Sequence, residues 1–532
     1  MSIEEQNNNN LPPSSSEEQE QQEQDYYYYY QQQQQQQAVL PITPVQRPSL
    51  IRWMLCLLVP ALLLCSILSP LSLFLSLFPI TLIFGLPIWI SSTLLLCLSL
   101  AWIPYLLFAQ EDRPTQTSIL LPLSPLKILR IINTLIKHAI ILLRSNWLEL
   151  ILDYSYRKII VLGRNNSPRS SRPTIVCRDL IYAYSDDHHE HRPATRKSNQ
   201  RLDVYLPTTS SSAGLAPVFL FIHPGGWRWF EKSLFLQIGL RFRRLGFCVV
   251  VPDFTQFPDG RCQDSVRDIR CVLRWVASSI REYGGDPERI FVAGHGSGAH
   301  LSMLTVVRSA IGRSLALQAY PSSVPPIFQQ QQQEEEEALP MIEGMILLSG
   351  IYDPINQLRD EARAGWLDIL ASRRALGPSH PSSLANSPAH LLHHALPFLE
   401  PRYLPAKFLI IHGGEDKNVP ILQSHFLSTL LSTLTHPTHS SPSSPSSPSP
   451  SSSSESSHDS HESYNKHRGK IQVTFKPLKE LDHLAALFAL MIGDYSPPPT
   501  TTTTTTNGNP HSVPLGPPYS SIIVQQILKL VG

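Results

Sequence analysis

Three patterns of hydrophobic and polar positions follow one another along the chain. From Trp53 to Gln110, 58 residues pass without one Asp, Glu, Lys or Arg. As helix, at 1.5 Å per residue, this run makes about 87 Å of rod, and a hydrocarbon core roughly 30 Å thick takes about 20 residues per crossing. The run predicts two spanning helices joined by a tight turn. Pro70, Pro79 and Pro87 place the turn near 77–87, with spans of 53–76 and 88–109. Residues 117–165 then combine Leu and Ile with charge, and Lys127, Arg130, Lys137 and Arg144 fall within about 100° of one helical face. Such a helix can lie on a membrane with its basic groups at the headgroups, or pack against the domain that follows.

From about residue 172 the period shortens. Apolar β-branched runs alternate with helical stretches, the pattern of a mostly parallel sheet wrapped by helices. The strands expected are Val218–Ile222, Cys248–Pro252, Ile290–Ala293, Met345–Leu348, Phe408–Ile411 and Ile471–Phe475.

Composition changes the domain count. A length of 532 residues allows about three domains at roughly 100–200 residues each. However, residues 1–46 hold Asn, Tyr and Gln runs with too little aliphatic content to bury, and read as a disordered tail. Segments 329–337, 436–470 and 496–506 read as solvated inserts. One globular domain, 172–532, remains behind a 53–110 hairpin. With 43 basic and 42 acidic residues, the net charge of +1 gives no electrostatic case for nucleic acid. Seven cysteines without paired spacing give no zinc or disulfide framework. No basic stretch leads into an apolar one at the start, so no cleaved secretory signal is expected.

Candidate chemistry lies just after the strand candidates, where open parallel sheets form their sites. Gly294-His295-Gly296-Ser297-Gly298-Ala299-His300 follows one strand, His412-Gly413-Gly414-Glu415-Asp416 another, and Leu481-Asp482-His483 a third. Ser, Asp, His is the chain order of the α/β-hydrolases. Upstream, Val218–Ile222 runs into His223-Pro224-Gly225-Gly226-Trp227, where a glycine pair lets backbone N–H groups face a developing oxyanion. These four parts predict an α/β-hydrolase fold, with no metal and no cofactor.

The same stretches, with Arg201-Leu202-Asp203-Val204-Tyr205-Leu206-Pro207, Asp253–Gly260 and Tyr283–Ile290, resemble the carboxylesterase-type hydrolases close to isoprenylcysteine methylesterases. Feruloyl/acetyl esterases of the BD-FAE type and arylformamidases share much of the pattern. The resemblance implies a membrane-anchored carboxylic-ester hydrolase whose substrate is a small-molecule or lipid-like ester such as a prenylcysteine methyl ester. It implies Asp416 orienting His483, His483 as general base, and Gly225 and Gly226 as oxyanion donors. The methylesterases act at internal membranes. With Arg47, Arg52, Arg113, Lys127 and Arg130 flanking the apolar run, an integral endomembrane protein is expected, for instance of the endoplasmic reticulum, with the hydrolase domain cytosolic.

The departure comes at the nucleophile. The family pattern is Gly-x-Ser-x-Gly-Ala-His, and aligning Gly294, Gly298, Ala299 and His300 puts Gly296 at the apex, with Ser297 one residue late. A turn shifted by one makes Ser297 the nucleophile and Gly298 the third oxyanion donor, but brings His295 to a position that needs close backbone approach. Otherwise the chain has kept the fold and lost hydrolysis, serving as a binding or scaffold module, or water or another group attacks. Elsewhere, Asp482 reads as a capping carboxylate and His300 as a packed helix residue. Trp227 and Trp229 line the site or the core. Arg241, Arg243 and Arg244 read as a solvated helix face.

Overall fold

The computed structural model describes residues 49–106, 124–144, 147–162, 174–183, 200–208, 214–317, 339–364, 370, 372–377, 380–434, 471–492 and 519–532. The tail 1–46 and the inserts at 329–337, 436–470 and 496–506 lie outside the described residues.

Helices α1 (Ser49–Leu75) and α2 (Leu82–Pro104) pack along one another, with Ser69 and Thr93 hydroxyls hydrogen-bonded at 2.7 Å between them. The apolar lengths Trp53–Leu75 and Leu82–Pro104 are 23 residues each, enough to cross a membrane. They turn their side chains outward: Leu57 is 71% exposed and Ile83 75%. The turn is shorter than expected, and α2 starts at Leu82 instead of 88. Pro79 sits in the turn, whereas Pro60, Pro70 and Pro87 lie inside helices. An interior proline removes one backbone hydrogen bond without necessarily ending the helix.

The 117–165 region is described as α3 (Pro125–Arg144) and α4 (Trp147–Tyr156), the latter continuing with a wider turn through Leu162. On α3, Ile128 and Ile131 bury against Ala101 of the hairpin, and Lys137 is exposed. The side chains of Lys127, Arg130 and Arg144 lie outside the described residues. Of the two expectations for this region, α4 follows the second. Leu150 and Leu162 join the core of the following domain, Gln237 donates to Asp153, and Tyr154 donates to the Ser233 carbonyl at 3.3 Å.

Among the described residues the sheet has eight strands, in the order β1-β2-β4-β3-β5-β6-β7-β8. These are β1 (Val176–Ile181), β2 (Arg201–Tyr205), β3 (Ala216–Ile222), β4 (Cys248–Pro252), β5 (Gly285–His295), β6 (Gly344–Leu348), β7 (Lys407–Gly413) and β8 (Gln472–Leu478). Only β2 runs against the rest, antiparallel to both β1 and β4. Each of the six expected strands is present; β1 and β2 are added at the edge. The central strands bury both faces, as parallel strands covered by helices must, so Phe219, Phe221, Phe291, Ile346 and Leu409 are all in the core. Helices α5 (Leu236–Arg244), α6 (Cys262–Ser279), α7 (Ser297–Leu317), α8 (Leu422–Thr433), α9 (His483–Met491) and α10 (Ser520–Val531) surround the sheet. This is the expected α/β-hydrolase fold.

Of the basic cluster on α5, Arg244 is exposed as a solvated face requires, but Arg241 and Arg243 are turned into the fold. Arg241 is buried and donates to the carbonyls of Ala489, Leu490 and Ile492 and to the Ser520 hydroxyl, while Arg243 donates to the Leu206 carbonyl. The last carbonyls of a helix have no partner within it. A guanidinium supplies several at once, and its charge suits the negative end of the helix. Arg241 thereby fixes the far end of α9, the helix that begins with His483.

Candidate active site

The elbow between β5 and α7 is built on glycine. Gly296 has φ +53°, the left-handed region that favours glycine, and its N–H donates to the Leu348 carbonyl at 3.0 Å. α7 begins one residue later, at Ser297. A Cβ on Gly296 would stand 3.3 Å from His483 Nε2 and 3.4 Å from its Cε1. Gly296 therefore occupies the position from which a side chain would meet the histidine.

Ser297 lies elsewhere. Its Oγ accepts the Gly226 N–H at 2.9 Å, and among the described residues no hydrogen bond joins it to His483. The shifted elbow expected for a Ser297 nucleophile is thus not the arrangement found, because the left-handed residue is Gly296. Gly298 departs from its expected role for the same reason. The residue after the apex is Ser297, and Gly298 is inside the first turn of α7, where a Cβ would come within 2.1 Å of the Ile222 carbonyl oxygen. Its lack of a side chain lets α7 approach β3.

Asp416 and His483 do meet. His483 Nδ1 donates to Asp416 Oδ2 at 2.7 Å, leaving Nε2 toward the elbow. Asp416 Oδ1 accepts the N–H groups of Asn418 at 3.0 Å and Val419 at 2.8 Å. Burial would raise the Asp416 carboxyl. The His483 hydrogen bond and charge, with the Val419 amide, outweigh it and hold the carboxyl below its ordinary value. Asp482 caps α9 by accepting the Ala485 N–H at 2.7 Å, which seats His483 as the first helical residue.

Gly225 (φ +140°) and Gly226 (φ +59°) form the loop facing this pair. A Cβ on Gly225 would fall 1.8 Å from the Trp229 carbonyl oxygen, so only glycine closes the turn. Pro224 has no N–H to offer, and its carbonyl pairs with His223 Nδ1 at 2.8 Å. Trp227 is buried and donates from Nε1 to His300 Nδ1 at 3.1 Å, while His300 Nε2 donates to the Asn386 carbonyl at 2.7 Å. Both are packing residues beneath the loop. Trp229 is half exposed.

His295, the awkward flank of a shifted elbow, is buried below His483 and donates from Nε2 to the His483 carbonyl at 2.9 Å. Burial first, and then repulsion from His483, pushes its imidazole down to about 3, so it stays neutral. Two residues escaped the sequence reading. Gly413 and Gly414 let the Asp and His loops touch: a Cβ on Gly413 would lie 1.9 Å from the Leu481 carbonyl oxygen, and one on Gly414 2.6 Å from that of Lys479. The signal available was a glycine pair straight after a strand.

The sheet order, the strand-to-helix elbow and the Asp–His pair define an α/β-hydrolase fold. Residues 202–431 match the protein-family model described as BD-FAE. A probable isoprenylcysteine alpha-carbonyl methylesterase of Oryza sativa subsp. japonica is 29% identical over 249 residues, 47% of this chain and 51% of the relative. The isoprenylcysteine alpha-carbonyl methylesterase of Arabidopsis thaliana is 34% identical over 110 residues, covering 21% of this chain and 25% of that one. The chain thus spans about half the length of the curated relatives it matches, or less. Among solved structures, esterase B from Lactobacillus rhamnosis is 15% identical over 65% of this chain and 88% of its own, with a TM-score of 0.39.

Proposed function

We propose that this chain is a carboxylic-ester hydrolase held at a membrane by α1 and α2 and acting on amphiphilic esters. The observation that carries this reading is the Asp416–His483 pair, with Nε2 turned to the elbow opposite the Gly225–Gly226 loop. A carboxylate that fixes the imidazole tautomer leaves the other nitrogen free to take a proton, and loop amides favour the oxyanion of a tetrahedral intermediate. The outward apolar side chains of the hairpin support the anchor, and the relatives' names point to prenylcysteine methyl esters as the substrate class. The test is methanol release from a farnesylcysteine methyl ester by the full-length protein in phospholipid vesicles. The expected result is turnover that His483→Ala abolishes and that exceeds turnover of water-soluble acetyl and feruloyl esters; equal rates would remove the substrate assignment.

The basic flanks of the hairpin support an endomembrane location with the hydrolase domain on the cytosolic side. Protease added to intact microsomes is then expected to cut within 436–470, and protection of that segment would reverse the topology. A second reading, a membrane-held binding module without turnover, is favoured by Gly296 at the apex. It predicts no His483-dependent hydrolysis in the native protein and its appearance in Gly296→Ser.

A further inference from the structure

Two features of the elbow have no place in a mechanism with a serine nucleophile. Where such a mechanism needs a hydroxyl, there is a glycine whose Cβ position lies 3.3 Å from the base. The hydroxyl that is present belongs to the next residue, is only 5% exposed, and receives the N–H of Gly226, an amide of the oxyanion loop. A hydroxyl that accepts one hydrogen bond still has a proton to donate, and donation into it polarises that proton.

We infer that this site hydrolyses its ester by direct attack of water, without an acyl-enzyme, and that the Ser297 hydroxyl is a donor to the substrate's carbonyl oxygen. This rests on the ester-hydrolase reading and specifies its route. The absent side chain at Gly296 leaves room for a water oxygen at hydrogen-bond reach of His483 Nε2, about 3 Å, which is the reach a general base requires. As the water oxygen bonds to the carbonyl carbon, Nε2 takes one of its protons, and the carbonyl π pair moves onto the oxygen. That oxyanion accepts from the Ser297 O–H, backed by Gly226 N–H, and from the Gly225 amide. Collapse reforms the carbonyl and breaks the bond to the alcohol oxygen, which takes the proton back from His483. The products are the acid and the alcohol, and the enzyme returns unchanged. A lost oxyanion donor costs about a hundredfold in rate, so Ser297 contributes to the rate without forming any bond to carbon.

The test uses the full-length protein in detergent, p-nitrophenyl butyrate and a fluorophosphonate. The expected pattern is slow, His483-dependent hydrolysis with no initial burst and no phosphonate adduct on the native protein. Ser297→Ala is expected to lower kcat about 100-fold with little change in KM. Gly296→Ser is expected to introduce both the burst and an adduct on the new side chain. An adduct on Ser297 in the native protein, or a burst lost in Ser297→Ala, overturns the route while leaving ester hydrolysis standing. Faster turnover in Ser297→Ala also overturns it, since the hydroxyl would then be covering a donor. Absence of any His483-dependent turnover in the native protein overturns the ester-hydrolase reading itself, and the route with it.

Discussion

Asp416→Asn is expected to lower His483-dependent ester hydrolysis by about ten-thousand-fold, the loss seen when a carboxylate that orients a catalytic imidazole becomes an amide of the same shape. The cause lies in which group must donate to which. Asp416 Oδ1 takes two backbone N–H groups, from Asn418 and Val419, so an amide at this position turns its oxygen to them. Its NH₂ group then faces His483 Nδ1, which must accept where it formerly donated at 2.7 Å. The imidazole proton moves to Nε2, the nitrogen toward the elbow, and no lone pair is left there to take a proton. Because size and backbone hydrogen bonds are kept, the variant should remain folded. The measurement is kcat/KM for p-nitrophenyl butyrate beside the thermal unfolding midpoint. A loss smaller than tenfold, with the midpoint unchanged, would remove Asp416 from the role of orienting group.

Most of the sheet, and the meeting of two candidate site residues, could be read from the residues. β3, β4, β6 and β7 are apolar β-branched runs bounded by small or polar residues, so local pattern and burial agree. β1 is harder because edge position leaves it partly exposed: Val176, Cys177 and Leu180 are half-buried and Arg178, Asp179 and Ile181 exposed, with no alternation to detect. Asp416 and His483 stand in the segments that follow β7 and β8, and the fold brings the two expected residues within 2.7 Å of each other. Arg241 was misread because, with Arg243 and Arg244, it resembles any solvated helix face. Its partners are carbonyls some 250 positions away in sequence, and no local signal records them. The same limit applies at the elbow. The sequence offers Gly296 and Ser297 as alternatives, and the choice follows from backbone geometry: the turn needs one left-handed residue, and glycine takes that conformation with no Cβ clash.

Gly298→Ala is expected to cost about 3 kcal/mol or more of folding stability, at the upper end for overpacking a tight core. The added methyl would meet the Ile222 carbonyl oxygen at 2.1 Å and that of His223 at 2.7 Å. Both are backbone atoms, so no rotamer change relieves the contact. Either α7 moves off β3 or the end of β3 shifts. The first carries Gly296 and the Ser297–Gly226 hydrogen bond with it, and the second displaces the Gly225–Gly226 loop. A companion variant separates packing from backbone conformation. At Gly296 the nearest atoms to an added methyl belong to the His483 side chain, at 3.3 and 3.4 Å, so Gly296→Ala carries mainly the left-handed backbone penalty of about 1–2 kcal/mol. Equilibrium denaturation of both variants checks the ordering. If Gly298→Ala proves as stable as Gly296→Ala, the close approach of α7 to β3 does not hold the elbow in register.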